Sequence, residues 1–246
     1  MSAPAKTLIE TRGLARHFGG LRAVDGVDFT LREGEVRALI GPNGAGNTTF
    51  VSLLCGRLPV SAGQVLFDGR DITRLPAHRR MRLGMAYTFQ ITSVFGALSV
   101  AENVALAVQR RHRHGPALTA AVERALARVG LADQAGRPAG DLAYGHQRLL
   151  EIAMGLGQEP RLIILDEPTQ GLSDGEIANF IRLIREVARE ATVLLIEHNI
   201  PVVMELADRI TVMDAGRILA EGTPGEIHAD ARVQAAYLGG AADAQA

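Results

Sequence analysis

The sequence predicts an α/β fold with a mostly parallel sheet, an antiparallel β part and an inserted helical subdomain. Three observations carry this. Short, nearly continuous apolar runs, such as Val36 to Ile40, Arg161 to Leu165 and Thr192 to Ile196, alternate with stretches of helical periodicity. Runs of that kind read as strands buried on both faces, which is how parallel strands sit between helices. Residues 91 to 155 break the alternation with mainly helical patterning, so they read as an insertion dividing a core of residues 8–90 and 156–239 within a single domain spanning 1–246. The pair Ile210 to Met213 and Arg217 to Ala220 closes around Asp214-Ala-Gly216 as a hairpin, which supplies antiparallel pairing.

The remaining elements follow in order. Val36 to Ile40 runs straight into a glycine-rich turn, and Thr48 to Leu54 reads as the start of a helix. Residues 64 to 67 read as a strand that stops at the turn signal Asp68-Gly69. Ser99 to Glu102 has the spacing of a capping box, so a helix starts there and runs to about Gln109. The polar stretch ending in Gly115-Pro116 is a loop, and Ala117 to Val129 is a helix stopped by Gly130. Ser173 to Glu176 offers a second capping box for a helix ending near Glu190. No internal repeat of fixed period occurs.

Composition sets outer limits. The chain of 246 residues is 47% hydrophobic and 22% charged, which is ordinary for a folded domain with a sizeable core. Its formal net charge of −1 gives no global basic field for nucleic acid. No run reaches the roughly 18 apolar residues a membrane-spanning helix needs. Met1 to Thr11 lacks the apolar core of a signal peptide, so a cytosolic location is expected. The single cysteine, Cys55, excludes an intrachain disulfide and reads as a small buried hydrophobe.

The chemistry begins at Gly41-Pro42-Asn43-Gly44-Ala45-Gly46-Asn47-Thr48-Thr49, which follows a strand and opens a helix. This is the context of a phosphate-binding loop. Glycines let successive N–H groups turn inward toward phosphate oxygens, and the helix N-terminus adds its positive dipole end. Thr48 stands where a hydroxyl would bind Mg²⁺. The usual pattern has lysine where this chain has Asn47. Asparagine is neutral and shorter. A charge-assisted bond contributes about 1.5–3 kcal/mol, and removing a transition-state donor costs about 10²–10³ in rate. Impaired hydrolysis is the expectation.

Leu162 to Leu165 leads into Asp166-Glu167. A carboxylate at the end of a buried strand is costly unless a metal or hydrogen bonds compensate it. Asp166 is placed to enter a Mg²⁺ shell, and Glu167 to polarise a water for attack on a γ-phosphate. Gln90 follows a strand ending at Phe89, where its amide can serve the metal or the water. His198 follows the strand from Val193 to Glu197 and can bond the γ-phosphate or orient the base.

The order GPNGAGNTT, Gln90, LAYGHQ, LIILDE, His198 closely resembles the ATPase domain of ABC transporters, from roughly Leu8 to Gly239. The resemblance implies the P-loop NTPase core, with ATP and Mg²⁺ as ligands. It implies that Phe18 stacks on adenine, that Gly41 to Thr49 is the Walker A loop, and that Gln90 is the Q-loop residue sensing the metal. Asp166 then belongs to Walker B, Glu167 is the catalytic base, Gly171 to Asp174 form the D-loop, and His198 is the switch histidine. Ala143, Tyr144, Gly145 and His146 correspond to the signature loop that approaches the nucleotide of the opposite subunit. With Ala143 and His146 replacing serine and glutamine, that approach falls on the Gly145 N–H and the helix dipole.

FGGLRAVDGV, YTFQ, LAYGHQRLLEIA and the tail AEGTPGEI look most like the ATPases of branched-chain amino acid importers. Tyr87 departs from that branch, in which arginine is common, and is expected to affect only surface or docking. The branch implies a peripheral protein on the cytoplasmic membrane face, paired with a second ATPase subunit. It also implies two permease subunits, indirectly a solute-binding protein, and no nucleic acid. A regulatory module that closes on ATP with little hydrolysis, or a related export ATPase, stands as the alternative.

Overall fold

The structure is a computed structural model, and it describes residues 6–88, 93–109 and 111–243. Two compact units make up the chain. One comprises Met1–Leu83 with Leu194–Ala246, and the other Gly84–Val193.

The first unit begins with β1 (Thr7–Phe18), β2 (Leu21–Arg32) and β3 (Val36–Ile40), then α1 (Asn47–Leu54), β4 (Ala62–Phe67), β5 (Arg70–Asp71) and α2 (Ala77–Arg82). β1 and β2 form a long antiparallel hairpin, and with β4 and β5 they make a sheet in the order β2-β1-β4-β5. The sequence reading did not pick out β1 and β2 individually. Register shifts around Leu14 to His17 break the alternation of β1, so inward and outward positions change phase within that strand, while β2 alternates regularly from Val27 to Arg32.

The second unit holds β6 (Met85–Tyr87), α3 (Val100–Val108), α4 (Pro116–Arg128), α5 (Tyr144–Leu156), β7 (Leu162–Asp166) and α6 (Asp174–Val187). β6 and β7 pair in parallel, and every residue of β7 is buried. Both expected capping boxes are present, at Ser99 with Glu102 and at Ser173 with Glu176.

β8 (Thr192–Ile196) crosses the boundary between the units and is buried throughout. The chain then returns to the first unit with α7 (Ile200–Leu206), β9 (Arg209–Asp214), β10 (Arg217–Gly222), α8 (Pro224–Ala229) and α9 (Ala231–Asp243). β9 lies parallel to β3, and β10 is its antiparallel partner, so the closing hairpin forms where expected. Ala38, Ile40, Val203, Ile210, Val212, Ala220, Ile227 and Val233 make one apolar cluster under α7, α8 and α9. Cys55 is buried, as read.

β3 also carries a buried charge. Arg37 is 4% exposed, and its guanidinium bonds Glu35 at 2.6 Å, Glu221 at 2.8 Å and the Thr211 hydroxyl at 2.8 Å. A buried cation needs this many partners to offset desolvation. The cluster ties β3 to β9 and β10 at the base of the strand that presents the phosphate loop.

Candidate functional site

In the first unit, residues 41–46 connect β3 to α1. Phe50 on the first turns of α1 packs edge-on against Phe29 of β2, ring centres 5.3 Å apart, which fixes the helix axis. The loop hangs on backbone bonds. Ala45 N–H donates to the Pro42 carbonyl at 3.0 Å, and Phe50 N–H to the Gly46 carbonyl at 2.8 Å. The hairpin turn between β9 and β10 braces it, with Gly216 N–H donating to the Ala45 carbonyl at 2.9 Å. Gly46 sits at φ +106, and a Cβ there would lie 2.4 Å from the Ala23 carbonyl oxygen. Gly44, at φ +81, has open space where its Cβ would point. The loop is therefore clamped at Gly46 and open around Gly44.

The residue in the lysine position is 8% exposed. The Asn47 amide oxygen is buried with no hydrogen-bond partner. Such an orphan acceptor costs about 1–3 kcal/mol. No residue of α1 is charged, so the loop's pull on an anion comes from N–H groups and the helix dipole alone. Thr48 is exposed at the loop's end. Phe18, at the end of β1, is 43% exposed, with the Arg16 guanidinium 4.4 Å from its ring centre. His198 is exposed just beyond β8, where its N–H donates to the Glu197 carboxylate at 2.7 Å.

In the second unit, β7 ends at Asp166, which is 2% exposed. Tyr87 Oη donates to Asp166 Oδ2 at 2.7 Å. Asp166 N–H donates to Thr88 Oγ1 at 3.2 Å. Tyr87 thus touches the acid, which corrects the expectation that it affects only surface or docking. Glu167 has φ +49, a left-handed backbone rare for a non-glycine residue and found disproportionately at active sites. Gln90 lies outside the described residues.

The signature positions form the first turn of α5. Ala143 is its N-cap and supplies no side-chain cap. Tyr144 and Gly145 lie tight against the loop before α6: a Cβ on Gly145 would be 2.9 Å from the Gly171 carbonyl oxygen. Tyr144 Oη donates to Gln170 Oε1 at 3.4 Å and accepts from Arg148 at 2.9 Å. Arg148 in turn meets Glu151 at 3.3 Å, and Glu151 accepts the Ser93 N–H at 2.6 Å. Burial pushes the Glu151 carboxyl up from its ordinary range, against the opposing pull of the Ser93 N–H and Arg148. This chain of bonds joins the signature turn to the segment just after residue 92, and sequence reasoning missed it. His146 pairs with Glu176 at 3.1 Å. The Ser173 hydroxyl and N–H, ahead of His146, hold Glu176 below the ordinary carboxylate range.

The donor set suits a nucleotide with its metal. The first unit offers a glycine-rich loop at a helix N-terminus and an exposed hydroxyl at Thr48, and the second, taken by itself, a buried carboxylate at a strand end. Among the described residues no group of three or more acidic, His or Cys side chains forms a metal cage. Mg²⁺ needs none, because it binds through one or two protein ligands plus phosphate oxygens.

Comparison with known proteins gives a consistent result. Residues 24–170 match the ABC transporter family model. Residues 217–243 match the model of the branched-chain amino acid ATP-binding cassette transporter. A high-affinity branched-chain amino acid transport ATP-binding protein of Pseudomonas aeruginosa is 40% identical over 96% of this chain and 99% of its own length. Its counterpart in Salmonella typhimurium is 40% identical over 97% of this chain and 99% of its own. Among solved structures, a nucleotide-free ATP-binding cassette from an ABC transporter matches with TM-score 0.84 and 28% identity, covering 94% of this chain and 98% of that one. An ATP-binding cassette in its ADP conformation matches with TM-score 0.83 and 28% identity, covering 95% and 99%.

Proposed function

We propose, since this chain belongs to the ABC transporter family of ATP-binding proteins, that it is the ATPase subunit of an importer of branched-chain or related amino acids. The observation that carries the import reading is the 40% identity, over nearly the full length of both chains, to proteins named for that transport. The match of residues 217–243 to the corresponding C-terminal model agrees with it. In this reading the protein works at the cytoplasmic face of the membrane as one of two ATPase subunits. Its partners are two permease subunits and, indirectly, a solute-binding protein. No helix of the described residues is long and apolar enough to cross a membrane, so anchoring falls to the permeases.

The residues divide the work. Phe18 offers its exposed ring to adenine. The Walker A positions Gly41, Pro42, Asn43, Gly44, Ala45, Gly46, Asn47, Thr48 and Thr49 would surround the phosphates, with the backbone N–H groups that are not already bonded within the loop facing them, and Thr48, Asp166 and Gln90 would hold Mg²⁺. The metal, when bound, neutralises charge on the phosphate oxygens. Glu167 takes the proton of the attacking water, and His198 and Gln90 orient the γ-phosphate and that water. Ala143 to His146 act on the nucleotide of the opposite subunit through the Gly145 N–H. Asn47 supplies no charge, so turnover is low.

The test compares ATP turnover of this chain and its Asn47→Lys variant, each assembled with permease subunits and solute-binding protein in vesicles. A gain of at least about tenfold in the variant is expected, following the cost of a missing transition-state donor. Stimulation by a branched-chain amino acid is expected in both. Equal turnover removes the role given to Asn47, and indifference to every branched-chain or related amino acid removes the import reading.

The orphaned Asn47 oxygen favours a second reading, a regulatory subunit that closes on ATP while its partner hydrolyses. Steady turnover by two copies of this chain alone with the permeases excludes it.

A further inference from the structure

We propose that Tyr87 is a positioning residue for the carboxylate of Asp166, setting how much Mg²⁺ the protein needs to hold ATP. The inference rests on the reading of Asp166 as a metal ligand.

The geometry comes from one strand pair. β6 and β7 run parallel with Tyr87 opposite Ile164. Tyr87 reaches past its register partner to Asp166, two positions further along β7. Its phenol donates to Oδ2 at 2.7 Å, the length of a strong bond to an ionised acceptor. The next residue, Thr88, accepts the backbone N–H of the same aspartate at 3.2 Å. Two consecutive residues of one chain segment thus hold Asp166 by its main chain and by one carboxylate oxygen.

A carboxylate 2% exposed loses most of the water that would otherwise solvate it. A hydroxyl on Oδ2 meets part of that need and stops rotation about the Cβ–Cγ bond. The carboxylate is thereby held in one orientation for the cation it would meet. The donor is neutral, so the carboxylate keeps its full charge for the metal. A cationic side chain in its place would bring a positive charge that competes with the metal wherever it reached the same oxygen. Partners of this kind, one bond removed from a metal, change metal affinity by about 10–100-fold when removed.

The experiment uses the full-length chain and a fluorescent ATP analogue. Binding is titrated with Mg²⁺ for the wild type, Tyr87→Phe and Asp166→Asn, alongside metal-free binding and thermal melting. Tyr87→Phe is expected to need about tenfold more Mg²⁺ for half-maximal binding, with metal-free affinity within about twofold of wild type. A merely structural role would move melting temperature and both affinities together. A wild-type Mg²⁺ requirement in Tyr87→Phe, with a raised one in Asp166→Asn, overturns the proposal and spares the reading of Asp166. A wild-type requirement in Asp166→Asn overturns both.

Discussion

The phosphate loop of the first unit and the signature region of the second are built from different materials. The loop is made of backbone. Its bonds run between N–H and carbonyl groups of Pro42, Ala45, Gly46 and Gly216, and the one polar side chain buried in it, Asn47, has an oxygen with no partner. The signature region is held by side chains, in a chain from Gln170 through Tyr144, Arg148 and Glu151 to Ser93. A backbone-built site keeps its shape when a side chain changes, so Asn47 can replace lysine without unmaking the loop. A side-chain network has no such tolerance, because each member is the solvent of the next.

The largest effect should come from breaking that network. Arg148 is 2% exposed and Glu151 6%. Arg148→Met leaves Glu151 without its cation, which costs about 3–5 kcal/mol for a buried pair, or about 10 °C in melting temperature for a protein of this size. The double variant Arg148→Met, Glu151→Met should recover about half of that, since a matched apolar pair removes both desolvation costs. A double variant less stable than Arg148→Met would show that the region is held by packing rather than by the ion pair.

On the backbone side, Gly46→Ala and Gly44→Ala form a matched pair. Both positions have positive φ, so each alanine bears conformational strain of about 1–3 kcal/mol. Only at Gly46 does the new Cβ also meet a backbone oxygen, Ala23 O at 2.4 Å. Gly46→Ala should therefore unfold at lower urea and lose ATP binding altogether, while Gly44→Ala loses stability by strain alone. Equal loss in both, by urea titration, would mean the loop yields where it looks clamped.

The same contrast explains what the sequence made legible. Glycine spacing, strand runs and the capping boxes at Ser99 and Ser173 are local patterns, each complete within a few residues, and the structure contains them. Bonds between distant side chains leave no such trace. Tyr87 and Asp166 are 79 residues apart, and Ser93 and Glu151 are 58 apart. Tyr87 stood out only as a departure from a familiar pattern, and its partner could not be read until β6 and β7 were seen side by side. The bulged strand β1 escaped for another reason: its register shifts break the alternation by which strands are recognised, whereas the alternation of β2 from Val27 to Arg32 was legible and went unread.

A smaller effect separates the two regions by pH. Tyr237 of α9 sits against the start of the backbone-built loop. Burial raises its phenol from the ordinary 10.0 to about 12, opposed by the Gly41 N–H beside it. The folded protein thus keeps this proton at a pH where the unfolded chain has released it. Its contribution to stability is complete below pH 10 and is lost as pH rises to about 12. Tyr237→Phe has no such proton to lose. Its urea midpoint should lie slightly below wild type at neutral pH, by about 1 kcal/mol for one hydrogen bond. The gap should close or reverse above pH 10. Parallel alkaline curves would place the Tyr237 phenol in water, and the phosphate loop would then owe nothing to α9.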